Sequence, residues 1–391
     1  MKHTLLENQG IPKGLLYTLA TIAGISVANL YYNQPLLDVI RMDLKCSEMD
    51  TNHIALLTQI GYALGLLFII PLGDLYSRKR IILTNFSLLV ASLLCIASAQ
   101  SIHIIHLASV VTGACSVIPQ IFVPLAAQYS EPKNKGKNVG IIISGLLTGI
   151  LASRVISGYI GEWLGWRMMY YIAAVLMVVS AVIILLLLPN TKSNFKGKYS
   201  QLMRSLIQLI RDYPALRIYA VRSGLAFGSF MGLWATLAFK MAQAPFYAGS
   251  DEVGALGLCG VAGALSASIV GRFVQQVGVR RFNYIGTLLQ LLAWALFYWG
   301  GNAYINLILG ILIIDIGMQC IQLSNQTTMF NLCPSASNRI NTIFMTTYFL
   351  GGSLGTFLAG AAWTNWGWSG VALSGSLLAL ASMGVTRFSK Y

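Results

Sequence analysis

The chain has 391 residues, of which 56% are apolar and only 10% charged, and its formal charge is +14. Soluble globular chains carry roughly 25% charged residues, so this one cannot cover itself in water and reads as a polytopic membrane protein. The basic excess, which in a soluble chain would suggest nucleic acid, is parcelled into alternate loops, and no phosphate-loop, zinc-binding or nucleophile-elbow motif points to an enzyme.

Met1–Lys13 is polar, and the apolar run after it is too long for a cleavable signal peptide. Twelve spans follow, predicted at 14–37, 51–73, 81–99, 103–128, 138–161, 167–189, 214–239, 251–274, 282–300, 304–330, 340–362 and 368–387. Each reaches the ~20 residues a crossing needs, and in lipid such spans are helical because the backbone has no other hydrogen-bond partner. Twenty of the 26 basic residues fall on one side. They are Lys2, Lys13, Arg78–Arg80, Lys133, Lys135, Lys137, Lys192, Lys196, Lys198, Arg204, Arg211, Arg217, Arg272, Arg280, Arg281, Arg339, Arg387 and Lys390. The positive-inside rule places both termini in the cytoplasm. The long loop 190–213 carries Leu202, Met203, Leu206, Ile207, Leu209 and Ile210 at helical spacing, an amphipathic helix expected on the inner leaflet. It joins six-helix halves 1–189 and 214–391.

An offset of 202 residues superposes the halves. Gly158 and Gly165-Trp166 fall on Gly360 and Gly367-Trp368, Pro132 on Pro334, Lys137 on Arg339, Gly149 on Gly351, and Gln120 on Gln322. A duplicated six-helix unit puts a transporter's substrate site at the repeat interface.

After the second span the chain reads Ile70-Pro71-Leu72-Gly73-Asp74-Leu75-Tyr76-Ser77-Arg78-Lys79-Arg80. This resembles the G-x-L-x-D-R-x-G-R-R loop of the major facilitator superfamily, with Ile70 and Ser77 in place of the glycines. The copy in the second half keeps Gly271, Gly278 and Arg280 but has Gln275 at the acid. More narrowly, Tyr31 to Pro35, Trp166-Arg167 and Asp315 to Gln326 resemble the drug:proton antiporter-like branch, bacterial efflux permeases. That branch carries Gly-Pro late in its fifth helix, whereas this chain has Gly145, Gly149 and then Ala152 to Val155 without proline. The resemblance implies an all-α membrane protein, twelve transmembrane helices in two pseudo-symmetric six-helix bundles, with spans 1, 4, 7 and 10 around a central cavity. It also implies a gating latch in which Asp74 pairs with Arg78, Lys79 or Arg80; the plainer alternative is that these cations only anchor topology.

Asp315 is the one acid of twelve that falls neither in a loop nor at a helix end. It lies about eleven residues into the tenth, roughly 16 Å deep at ~1.5 Å per residue, near the middle of a ~30 Å hydrocarbon layer. A charge there marks an ion, proton or substrate pathway. Gln319, Gln322 and Gln326 follow it at steps of four, three and four, one helical face, with Asn325 beside it; the alternative is interhelical glue. Arg154 in the fifth span is the natural counter-charge, pairing with Asp315, with a substrate anion or through water, or else snorkelling to the headgroups. Tyr32, Asn33 and Gln34 on the first span, Gln59 on the second, Gln120 on the fourth, and Phe227 and Trp234 on the seventh complete the expected substrate site. Tyr31 and Tyr32 suit an aromatic belt equally well, and Tyr62 on the second span and Tyr348 on the eleventh lie on helices that the resemblance implies form gates. Arg222 is expected to be a snorkelling anchor.

These residues suggest proton-coupled alternating access, exporting a small amphipathic compound, with import of a sugar-like solute or a non-transporting sensor or scaffold as alternatives. The six cysteines are scattered, so neither disulfides nor metal ligands are expected. No cofactor beyond the proton gradient, no nucleic acid, and a monomer in the lipid bilayer with a small-molecule substrate complete the expectation.

Overall fold

A chain this apolar must satisfy its backbone internally, and every regular element among the described residues is helical. The computed structural model describes residues 5, 7–189, 198–333 and 336–389; for Asp74, Ala264, Ala267, Ser268, Gly271 and Gln275 it describes the backbone alone. Lys2, Lys192, Lys196, Pro334 and Lys390, singled out in the sequence, lie outside the described residues.

The helices are α1 (Lys13–Ala28), α2 (Asn33–Leu44), α3 (Glu48–Phe68), α4 (Leu72–Leu75), α5 (Arg78–Ser98), α6 (Ile102–Cys115), α7 (Pro119–Tyr129) and α8 (Lys135–Leu164). Then come α9 (Trp166–Leu187), α10 (Tyr199–Asp212), α11 (Pro214–Ala242), α12 (Ser250–Leu256), α13 (Gly260–Val277), α14 (Val279–Gly300), α15 (Tyr304–Phe330) and α16 (Ser337–Phe388). Eight helical runs among the described residues are long and apolar enough to cross a membrane. Twelve were expected, and the difference falls at four places. Helix α3 carries Asn52, His53, Thr58 and Gln59, and α14 has Arg280 and Arg281 in its first turn. A 3-10 turn at Gly257–Cys259 separates α12 from α13. In α16 two helices abut at Gly367, whose φ of 59° and ψ of −149° are not helical.

Two expected spans carry a tightened turn. Between Ala28 and Asn33 the first takes i→i−3 bonds, Leu30 N–H to the Val27 carbonyl and Tyr31 N–H to that of Ala28, and Pro35 sits in the first turn of α2, where its missing N–H costs little. The fourth tightens likewise at Ser116–Ile118, with Pro119 at the start of α7.

The closest helix crossings are made by glycine. A Cβ on Gly149 would fall on the backbone of Gly24, and one on Gly145 on that of Ala20, so α1 and α8 touch backbone to backbone. The same contact recurs between α11 and α16, where Gly351 meets Gly224 and Gly355 meets Gly228. Gly165, at φ 84°, and Gly367 break the chain before Trp166 and Trp368, as the 202-residue offset suggests. Helix α10 buries Leu202, Leu206 and Leu209 against the protein, while Ile207 and Ile210 remain exposed. Its Tyr199 hydroxyl donates to the Phe68 carbonyl at 3.1 Å.

One end of the assembly is tied shut by hydrogen bonds between the first and second halves of the chain. Trp363 Nε1 donates to Glu48 Oε2 at 2.7 Å, Asn52 Nδ2 to the Ala235 carbonyl at 3.3 Å, and Ser250 Oγ to the Gly158 carbonyl at 2.9 Å. Deeper in, Gln59 Nε2 donates to Thr356 Oγ1 at 2.9 Å. The opposite end carries Arg78 and Arg339.

Candidate substrate and proton site

Asp315 rests against a glycine seam. A Cβ at Gly263 of α13 would lie 3.2 Å from the Asp315 Cβ and 3.3 Å from Oδ1, so the carboxylate is closely seated on the glycine. Asp315 is buried, and its Oδ2 has no hydrogen-bond partner among the described residues. The ion pairs among those residues are Arg41–Asp38, Lys133–Glu131 and Arg167–Asp43, so no cation lies within 4.0 Å of Asp315.

Arg154 does not snorkel. It is 3% exposed, and its Nε donates to Gln34 Oε1 at 2.7 Å. Its guanidinium carbon lies 4.0 Å from the Trp234 ring centroid and 5.1 Å from that of Tyr31, within cation–π range of both. Gln34 and Trp234 therefore hold the arginine.

Arg154 and Asp315 line one chamber of about 140 Å³, with Tyr31, Tyr62, Phe227, Tyr348 and Gln120 among its walls. It shares Gln120, Gln319, Gln322 and Met345 with a larger cavity of about 880 Å³. That cavity continues past Gln326 and Asn341 to Gly73, Arg78 and Arg339 at the basic end. The stripe Asp315–Gln319–Gln322–Gln326 thus runs along the cavity wall. Tyr348 stacks on Phe227, centroids 3.8 Å apart, and donates its hydroxyl to Gln322 Oε1 at 2.9 Å. Gln120 Nε2 donates to the Tyr62 hydroxyl at 3.3 Å, and Gln326 Nε2 to Asn341 Oδ1 at 3.0 Å.

Six expected residues do not line these cavities: Gln34 and Trp234, which hold Arg154, and Tyr32, Asn33, Gln59 and Asn325. Tyr32 and Asn33 are buried in packing, Asn33 Nδ2 donating to Thr58 Oγ1 at 3.4 Å, and Tyr31 lines the chamber instead. Gln59 ties α3 to α16. Asn325 faces the other side of α15, where Oδ1 accepts from Arg222 Nε at 2.5 Å and Nδ2 donates to Asn283 Oδ1 at 2.8 Å. Arg222 itself is fully buried, a correction to its expected place at the headgroups; a polar network takes it up instead. Phe230, Met318, Met345 and Phe349 also line the chamber and went unremarked in the sequence. The spacing held a signal: Met318 lies three residues after Asp315 and Phe230 three after Phe227, the same helical faces.

Of the expected latch, the Asp74 side chain lies outside the described residues. Arg78 is buried and lines the larger cavity, and Arg80 is exposed. Lys79 Nζ donates to the Leu185 carbonyl at 2.6 Å, capping the last turn of α9. No cluster of His, Cys, Asp or Glu among the described residues could hold a metal ion.

Comparison with known proteins agrees with this architecture. Residues 19–356 match the Major Facilitator Superfamily. The uncharacterized transporter YgaY of Escherichia coli O157:H7 is 38% identical over 376 residues, covering 96% of this chain and 95% of its own. A Streptomyces coelicolor protein named a probable transporter is 31% identical over 93% of this chain and 84% of its own. A crystal structure of a mutant nucleoside transporter NupG superposes with a TM-score of 0.77 over 96% of this chain and all of its own, and at 16% identity that likeness is one of fold. The chain belongs to the Major Facilitator Superfamily and is a membrane transporter of small molecules, not an enzyme.

Proposed function

We propose that this transporter is proton-coupled and works by alternating access in the bacterial inner membrane, exporting a small amphipathic compound. The observation that carries the reading is Asp315: a buried carboxyl with an unpartnered oxygen, at the head of a cavity that reaches the basic end. Such a group is free to exchange a proton or a cationic substrate group with the cavity. Twelve crossings in two bundles, 1–189 and 214–391, complete the reading, with Ser337–Phe388 crossing twice about Gly367 and both termini cytoplasmic. The doubled glycine crossings of α1 with α8 and α11 with α16 support two matched units. The cavity then faces the cytoplasm, and the bonds of Glu48, Asn52 and Ser250 close the outer end.

The walls combine aromatic rings and methionines with Gln120, Gln319, Gln322 and Gln326, which suits an amphipathic substrate. The four amides also suit uptake of a hydroxyl-rich solute, which stands as the second reading. Purified protein in liposomes, assayed for flux of a compound panel with and without a pH gradient and in both gradient directions, tests coupling and direction together. Asp315→Asn is expected to abolish the gradient-driven component and keep a wild-type elution profile; gradient-driven flux surviving in that variant would remove Asp315 from the mechanism.

A further inference from the structure

The two charges of the chamber are opposite in sign, buried, and not paired with each other. Arg154 is fixed at Nε by Gln34 and by the rings of Trp234 and Tyr31, which leaves its two terminal nitrogens as the donors available to a ligand. Asp315 presents an oxygen with no partner. Both side chains lie on the same glycine seam. A Cβ at Gly257 would lie 2.8 Å from the Arg154 Cβ, and one at Gly263 would lie 3.2 Å from the Asp315 Cβ. Between these footholds a Cβ at Gly260 would lie 3.9 Å from Asp315 Oδ1, and among the described residues no N–O contact within 4.0 Å joins the two charges. The chamber they line suits a ligand that places a charge at each side, each at a charge-assisted bond of about 2.8 Å.

We infer that the chamber recognises a zwitterion, a substrate carrying a carboxylate for Arg154 and an ammonium for Asp315, of the class of an apolar or aromatic amino acid or short peptide. A singly charged ligand would leave one buried charge unmet, which is the costly case. A neutral chamber with separated charges therefore selects by charge pattern as well as by size. Phe227, Phe230, Tyr348 and Met318 supply apolar walls for the side chain, and the larger cavity beyond Gln319 gives room for length. The inference rests on the proposed role of Asp315 and adds a consequence: ammonium and proton compete for one carboxylate, so loading one releases the other.

The test uses the purified full chain in lipid nanodiscs and equilibrium binding of radiolabelled L-phenylalanine and phenylalanyl-alanine. Competitors are phenylalaninamide, which lacks the carboxylate, and N-acetylphenylalanine, which lacks the ammonium. Both competitors are expected to bind at least tenfold more weakly than the zwitterions. Arg154→Gln should erase the preference over the amide, and Asp315→Asn the preference over the N-acetyl compound; Arg154→Lys guards against misfolding and should keep part of the preference. Failure of both zwitterions to bind, or equal binding of the amide, overturns the inference. Liposome flux keeps the two ideas apart. Zwitterion transport indifferent to a pH gradient would sink proton coupling alone, whereas gradient-driven transport of compounds lacking either charge would sink the zwitterion alone.

Discussion

Glu162, near the end of α8, accepts hydrogen bonds from the backbone N–H of Ser250 at 3.1 Å and from its hydroxyl at 3.3 Å. Ser250 opens α12, and the preceding Gly249 has no side chain to cap it, so a residue from the other half of the chain supplies the cap. The cap is thereby also a clasp across the closed end. Glu162→Ala is expected to cost that end about 1–2 kcal/mol, roughly a five- to thirtyfold shift toward a state open there. Spin labels at the exposed positions Leu164 and Tyr247 would report it as a longer distance population, and an unchanged distribution would show the clasp to be idle.

Helix α15 carries two kinds of amide. Asn325→Ala removes an acceptor from buried Arg222 and should lower stability by about 2–3 kcal/mol, read as a lower Tm, while ligand affinity holds. Gln319→Ala, which opens onto the cavity, should do the reverse: binding changes and Tm stays. Equal effects from both substitutions would mean that the two faces of the helix are not functionally distinct.

Glycines at the crossings should be intolerant in a position-specific way. Gly149→Val and Gly351→Val force a side chain onto the backbone of Gly24 or Gly224 and should destabilise by ~3 kcal/mol or more, with low recovery of folded protein. Gly384→Ala, in a helix with open space around it, should be neutral or raise stability by up to about 1 kcal/mol. Thermal unfolding of the three side by side checks this, and a well-folded Gly149→Val would argue against a rigid crossing.

Arg154 owes its position to its neighbours. Gln34→Ala removes the bond at Nε and Trp234→Leu the facing ring, each worth about 1–2 kcal/mol to a desolvated cation. Each should weaken binding of a carboxylate-bearing ligand roughly five- to thirtyfold while leaving ligands without a carboxylate unaffected. A loss common to both ligand classes would instead indicate general damage to the chamber.

The fold and the cavity wall on α15 were legible because charge is scarce here: one acid in a long apolar run, followed by amides at helical steps, has few readings. Helix phase carried Gln319, Gln322 and Gln326 to the right face because α15 is continuous from Tyr304 to Phe330. It failed for Tyr32 and Asn33, since the turn between α1 and α2 tightens to i→i−3 bonds and shifts the phase. Asn325 was read as lying beside the stripe, but its partner Arg222 is 103 positions away and itself was expected at the headgroups. Gly257, Gly260 and Gly263 escaped notice for a simpler reason. Glycine has no chemistry to flag, and its part at the site is to leave space.

The backbone-to-backbone joints at Gly24, Gly149, Gly224 and Gly351 are made by residues that contribute no side chain. The frame is thus largely independent of the groups that face the solute. Rings and amides along the passage can drift from one lineage to another, altering what is carried, while the scaffold that carries it needs no redesign.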